Sequence, residues 1–278
     1  MSTQETRPAN LAGRSAVLPV HEVVALVREW VDLHARHLSD FVGAYLWGGI
    51  TALPAEARFP LYRDVDVVVV VTAGAQDDDQ EVFYRGIMLE VITKDRAAHQ
   101  DVESVLADPS HGPNMATTQI LADPTGILVP LRQAVAAAYG QRRWIQARCA
   151  VETATAEQQL TAMRQVFNFS HSQEPLWPIW LVLNALSGLL AVAQLKRPTT
   201  RRTLALLGEL LDEQGRADLH EAALKVWGSA YMSRANVQAM LDQSVAVFDR
   251  SRSTTRQRRM VSRFVPICGP IWPKRLRR

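Results

Sequence analysis

Residues 67 to 71 are five consecutive valines. β-Branched side chains suit a pleated strand, and a run without polar alternation predicts a strand covered on both faces. FVGAYLWGG (41–49) predicts a short strand that ends in a glycine turn. ITALPAEARFPLYR follows, and Pro54 and Pro60 limit it to a short helix or loop. Beyond the valines, GAQDDDQ (74–80) predicts a polar turn. EVFYRGIMLEVITKD (81–95) predicts two short strands with a turn near Arg85-Gly86. Before them all, Val23, Val24, Val27, Trp30 and Val31 recur at helical spacing with Arg28, Glu29 and Asp32 between, so an amphipathic helix is expected over 20–38.

Residues 96–138 predict mostly helix, with turns at 108–114 and 122–126. Asp123-Pro124 marks a helix start there. From about residue 140 no strand is predicted. Helices are expected near 151–169, 176–195, 200–214, 216–230 and 233–250, the last capped by Ser233. The fold class expected is therefore α+β. A small mixed β-sheet with flanking helices (15–138) precedes an all-α helical bundle (139–250) and a basic C-terminal tail (251–278).

Composition sharpens this picture at four points. A chain of 278 residues at 47% hydrophobic content has enough apolar material for one large or two modest cores. LWPIWLVLNALSGLLAVAQL (176–195) is apolar enough to mimic a membrane span, but it carries Pro178, Asn184, Ser187 and Gln194. A buried bundle helix fits it better, and no membrane partner is expected. The polar start MSTQETRPANLAGR lacks the apolar stretch of a signal peptide, and Cys149 and Cys268 match no metal or redox spacing. A reduced, cytoplasmic setting follows. The net charge of +3 hides an asymmetry, because residues 250–278 hold ten Lys/Arg and no Asp/Glu. The remaining chain carries 21 basic and 28 acidic residues. Such a tail suits nucleic acid or anionic lipid, or simply a solvated end lying on an acidic body; the latter is the expectation.

Chemistry concentrates on three carboxylates. Asp64 and Asp66 stand two apart where the valine strand begins, and that spacing points both to one face. Two such anions repel unless a cation sits between them. Glu90 lies within the apolar stretch IMLEVIT, where an acid is costly unless paired or metal-bound. Neighbouring antiparallel strands would bring all three to one point. Two Mg²⁺ ions held this way clamp a triphosphate and activate a hydroxyl for in-line attack. The Gly48-Gly49 turn removes side chains where a backbone must approach a phosphate.

Trp47-Gly48-Gly49, then Asp64-Val65-Asp66, then Glu90 in MLEV together resemble the motif of the nucleotidyltransferase superfamily. That superfamily includes DNA polymerase beta and the aminoglycoside nucleotidyltransferases. ILADPTG, KRPTTRR and SAYMSR in the second half are similar to bacterial small-molecule nucleotidyltransferases with a C-terminal helical domain. The resemblance spans most of 20–250 and is sharp over 45–92. It implies an enzyme that transfers a nucleoside monophosphate to a hydroxyl of a small polar acceptor and releases pyrophosphate; AMP from ATP is the expected pair, and another nucleoside triphosphate with its own monophosphate is the other co-substrate it allows. An aminoglycoside-type antibiotic, and so a part in antibiotic resistance, is the acceptor the resemblance suggests. It implies Mg²⁺ on Asp64, Asp66 and Glu90, with Glu90 completing the metal shell or taking the acceptor's proton. Gly48, Gly49, Thr51 and Arg63 are then expected at the nucleotide. Gly49 departs from the pattern, since many members have Ser there and a backbone N–H must serve instead. The alternatives are action on RNA, which the tail suits, action on a partner protein of a toxin–antitoxin pair, which the long helical half argues against, and an inactive binding module that keeps the fold, which the intact acids argue against.

Other candidates are weaker. Lys196, Arg197, Arg201 and Arg202 meet a triphosphate or form an ordinary solvated basic face; the face is the expectation. Arg58 and Arg63 precede the aspartates and neutralise phosphate, or Arg63 partners the acids. His111 is expected at the surface, Asp123 as a cap, and Trp177, Trp180 and Trp227 in core packing rather than stacked on a substrate.

Overall fold

The structure is a computed structural model, and it describes residues 17–61, 63–74, 79–169 and 176–257. The polar N-terminus, the acidic run at 75–78, Cys268 and the basic residues beyond 257 lie outside the described residues. The elements in chain order are β1 (Val17–Pro19), α1 (Val20–Trp30), β2 (Phe41–Leu46), β3 (Arg58–Pro60), β4 (Asp64–Val71), β5 (Gln80–Tyr84), β6 (Ile87–Asp95), α2 (Val102–Ala107), α3 (His111–Thr117) and β7 (Ile120–Ala122). Helices follow: α4 (Leu128–Ala138), α5 (Arg142–Phe169), α6 (Leu176–Ala193), α7 (Thr203–Asp212), α8 (Ala217–Trp227) and α9 (Arg234–Gln257). The fold is α+β, with a mixed sheet and a helical second half. Among the described residues, no helix is long and apolar enough to cross a membrane.

The sheet runs β5-β6-β4-β2-β7, and β1 pairs with β3 apart from it. β4 is central, which explains the valine run. Val65, Val67, Val69 and Val71 pack on the α1 side with Val23 and Val27. Val68 and Val70 pack on the opposite side with Val105, Leu106, Met115 and Leu128. Each such burial stabilises by roughly 1.5–3 kcal/mol, and a polar residue on either face would forfeit it. Position parity then puts Asp64 and Asp66 on the side of Val68 and Val70.

β5 and β6 form the expected hairpin. Its two-residue turn holds Arg85 at φ 44° and Gly86 at φ 91°, the left-handed pair that matches the twist of the flanking strands. The expected antiparallel neighbours are corrected at one place. β6 runs parallel to β4, because the chain crosses to the sheet edge to make β5 and turns back between the two. β7 is a strand where helix was expected, a three-residue pairing on the edge of β2.

The described residues up to Ala223 make one compact unit, and those from Leu224 to Gln257 make another. In the first unit α5 packs on α6, and α6 on α7. Arg148 of α5 is fully buried (0% exposed). It donates to the Leu106 carbonyl at 2.8 Å and the Tyr139 carbonyl at 2.9 Å, and lies over the Tyr139 ring. It thus ties the ends of α2 and α4 to the long helix. Asp123 caps α4 as expected, accepting from Ile127 N and Val129 N. In the second unit, Ser233 Oγ accepts from Asn236 N at 3.1 Å and caps α9. Trp177 and Trp180 stack on each other at 5.0 Å, and Trp177 is 51% exposed, which corrects its expected place in a core.

Replacing Arg148 with Ala removes two charge-assisted hydrogen bonds and strands two carbonyls. The loss should be about 3–5 kcal/mol, since each buried charged hydrogen bond counts for about 1.5–3. Denaturant titration checks it; a loss under about 1 kcal/mol would show that α5 docks without this residue.

Candidate active site

The ladder between β4 and β6 places Asp66 directly beside Glu90, and Asp64 beside Met88. Side chains two apart share a face, so all three carboxylates project from one side of the sheet at the start of β4. One oxygen from each of Asp64, Asp66 and Glu90 lies within 4.8 Å of the others. The expected convergence is therefore present, through parallel rather than antiparallel strands.

Their charges are not equivalent. Asp64 accepts both ends of the Arg201 guanidinium, at 2.8 and 2.5 Å, and this pairing holds its carboxyl below the usual range. Asp66 is half-buried and has no such ion pair among the described residues. Burial first, then hydrogen bonding and repulsion from Glu90, then the Asp64 charge, push its pKa up to about 7.

The glycine turn lies against Asp66. Trp47 N donates to Asp66 O at 2.9 Å, fixing the turn to β4. Gly48 adopts φ 71°, and a β-carbon there would collide with the Asp66 carboxylate. Both facts require glycine at this position. At Gly49 a β-carbon would lie 2.7 Å from Arg63 Nη2, so Arg63 fills the space that a side chain there would take. Arg63 itself rests over the Phe59 ring at 5.3 Å. Arg58 is exposed on β3. Thr51 Oγ1 donates to Gly48 O at 3.0 Å, and Gly48 N donates to Asn114 Oδ1 at 3.1 Å.

Two residues expected on a solvated face belong instead to this site. Arg197 Nη1 donates to Gly48 O, to Thr51 Oγ1 at 2.9 Å and to Asn114 Oδ1 at 3.2 Å. Arg201 holds Asp64. Lys196 and Arg202 do stay at the surface, paired with Glu213 and Glu209. The cause lies at the end of α6. Leu195 takes φ 57°, and Lys196 N bonds back to Ala191 O at 2.8 Å, which closes the helix and turns the following segment toward the sheet. This stop usually carries Gly, so its sequence signal is absent here. Asn114 is the other participant that sequence reasoning missed.

His111 is buried, not at the surface. It packs against Trp47, and Tyr45 OH reaches His99 Nε2 at 2.9 Å and His111 Nε2 at 3.4 Å. His99 Nδ1 lies 3.0 Å from the Asp95 carbonyl, which assigns the proton to Nδ1 and leaves Nε2 to accept from Tyr45. Burial, with His99 and Lys94 nearby, pushes the His111 pKa down to about 4. The imidazoles are neutral packing under the turn rather than proton carriers at neutral pH.

The donor set suits a hard divalent cation. Three carboxylates offer only oxygen, and their mutual repulsion is relieved by added positive charge.

No family model matches the chain, and no curated protein matches it. Solved structures do match. One of them is a nucleotidyltransferase-like protein from Exiguobacterium sibiricum 255-15, with 11% identity and a TM-score of 0.36, covering 74% of this chain and 75% of the other. A likeness this distant assigns no residue here.

The two aspartates should respond oppositely to pH in metal-free protein. Folded Asp66 keeps its proton up to about pH 7, while the unfolded chain loses it near 3.8, so stability falls as pH rises through that window. Asp64 acts the other way, and its contribution is lost on acidification. Asp66→Asn keeps a neutral donor toward Glu90. It should stabilise the metal-free protein at pH 8 by about 2 kcal/mol and flatten its decline between pH 4 and 7. Asp64→Asn forfeits a largely exposed pair worth about 1 kcal/mol or less. Urea midpoints across pH measure both; equal slopes in wild type and Asp66→Asn would contradict the asymmetry.

Proposed function

We propose that the chain is a divalent-metal-dependent nucleotidyltransferase. It moves a nucleoside monophosphate, AMP from ATP, onto a hydroxyl of a small polar acceptor. The observation that carries this reading is the convergence of Asp64, Asp66 and Glu90 within 4.8 Å, beside a glycine turn that admits no side chain at Gly48. The spacing Trp47-Gly48-Gly49, Asp64-x-Asp66 and Glu90 that resembles the nucleotidyltransferase motif supports it further.

Asp64, Asp66 and Glu90 would hold the cation, Mg²⁺ in the cell. When bound, it would supply charge neutralisation for the triphosphate and acidify the acceptor hydroxyl. The chain's own part begins with the turn. Gly48 and Gly49 let backbone approach the phosphates, with Thr51 and Arg197 holding the turn's shape. Arg63 adds positive charge beside Gly49. The acceptor oxygen attacks the α-phosphorus, the bond from that phosphorus to the bridging oxygen breaks, and pyrophosphate leaves. Glu90 takes the hydroxyl proton. An aminoglycoside-type antibiotic is the acceptor that the motif resemblance suggests.

Incubation with each labelled nucleoside triphosphate, Mg²⁺ and an antibiotic panel, read by mass shift, tests class and acceptor together. Gain of one nucleotide on one compound is the expected result. Asp64→Asn and Asp66→Asn should abolish transfer while remaining folded. Glu90→Gln should still bind Mg²⁺–ATP by calorimetry but release pyrophosphate on the order of 10²-fold more slowly, the usual scale for losing a general base. Full turnover in either aspartate variant would remove the metal site from the reaction.

A further inference from the structure

Arg201 occupies a position that a metal-loaded site does not need it to hold. Its guanidinium makes a two-point contact with Asp64, one of the three carboxylates that would bind the cation. Asp66 and Glu90 lie close enough to act on it as well. A dication arriving at the triad would neutralise Asp64 and repel the guanidinium, so both the reason for the pair and the room for it would go. Arg201 is free to leave. Its side chain is 71% exposed, and it sits in the non-helical segment between α6 and α7. Arg197, four residues earlier, anchors the same segment on Gly48, Thr51 and Asn114. The tether keeps Arg201 at the mouth of the site even after it lets go of Asp64. The planar fork that matches a carboxylate matches a phosphate equally well.

We propose that Arg201 is an exchangeable counter-ion. It holds Asp64 in the metal-free protein, and on loading it transfers to the phosphates of the incoming nucleotide. This rests on the nucleotidyltransferase reading and adds an ordering to it. Arg201 opposes binding of the bare cation and favours binding of the cation–nucleotide pair, so the site fills with both together. Arg197 differs, because its contacts are to the turn and do not compete with metal.

The consequence is a substitution with effects of opposite sign. Arg201→Ala should bind Mn²⁺ alone about 3- to 10-fold more tightly, because Asp64 loses its competitor. It should bind Mn²⁺ together with a non-hydrolysable ATP analogue roughly tenfold or more weakly, because a charge-assisted contact to phosphate is gone. Arg201→Lys should fall between, keeping the charge without the fork. Arg202→Ala, which loses only its partner Glu209, should change neither. Calorimetry with Mn²⁺, then with the analogue at saturating Mn²⁺, reads all four proteins, and a thermal melt confirms that each is folded. Tighter Mn²⁺ with weaker analogue supports the exchange. Unchanged or weaker Mn²⁺ binding in folded Arg201→Ala overturns it, as does unchanged analogue binding. No Mn²⁺ binding by wild type and Arg201→Ala alike would instead defeat the metal-site reading beneath it.

Discussion

Asp66 and Glu90 are ladder partners on adjacent parallel strands, and this register is the constraint that organises the molecule. Two carboxylates side by side on a half-buried surface repel each other, and burial pushes the Asp66 proton to stay. The cost falls on the folded state and has to be met by packing around it. The central position of β4 supplies that packing, with valines buried on both faces immediately downstream of the acids. A one-residue slip of β6 against β4 would carry Glu90 to the face opposite Asp66 and turn Leu89 and Val91 out of the core on the α1 side. The same packing that stabilises the sheet therefore fixes the acids in place.

Around this fixed point the chain arranges groups from distant parts of the sequence. Trp47 N ties the glycine turn to Asp66 O, and Asn114 holds Gly48 N from the α3 side. Arg197 then reaches the same turn from beyond α6, and Arg201 reaches Asp64. The segment between α6 and α7 is thus a supplier of cations to a cluster of anions. Beneath the turn, Tyr45, His99, His111 and Trp47 form a neutral, largely buried layer that supports it from below.

How much of this was legible depended on whether the signal was local. The valine strand, the Arg85-Gly86 hairpin and the Asp123 and Ser233 caps all write themselves into a few neighbouring residues, and each stands as expected. The common face of Asp64 and Asp66 follows from strand periodicity alone. The parallel pairing of β4 and β6 does not, because it depends on where the hairpin docks rather than on what it contains. His111 looked like a surface residue in a Gly/Pro turn, and its burial is set by Tyr45 and Trp47 on another element. Ile120–Ala122 is too short to carry a strand pattern. Arg197 and Arg201 were hidden twice over: their partners lie 149 and 137 residues away, and Leu195 ends α6 in a conformation that glycine usually announces.

The central claim is that the three carboxylates form a divalent cation site. Crystals of the protein grown with Mn²⁺ and a non-hydrolysable ATP analogue, measured at the manganese absorption edge, test it directly. The account predicts anomalous density among Asp64, Asp66 and Glu90, with the analogue's phosphates against the Gly48-Gly49 turn. Anomalous density elsewhere on the chain, with the triad bare and Arg201 still on Asp64, would contradict it.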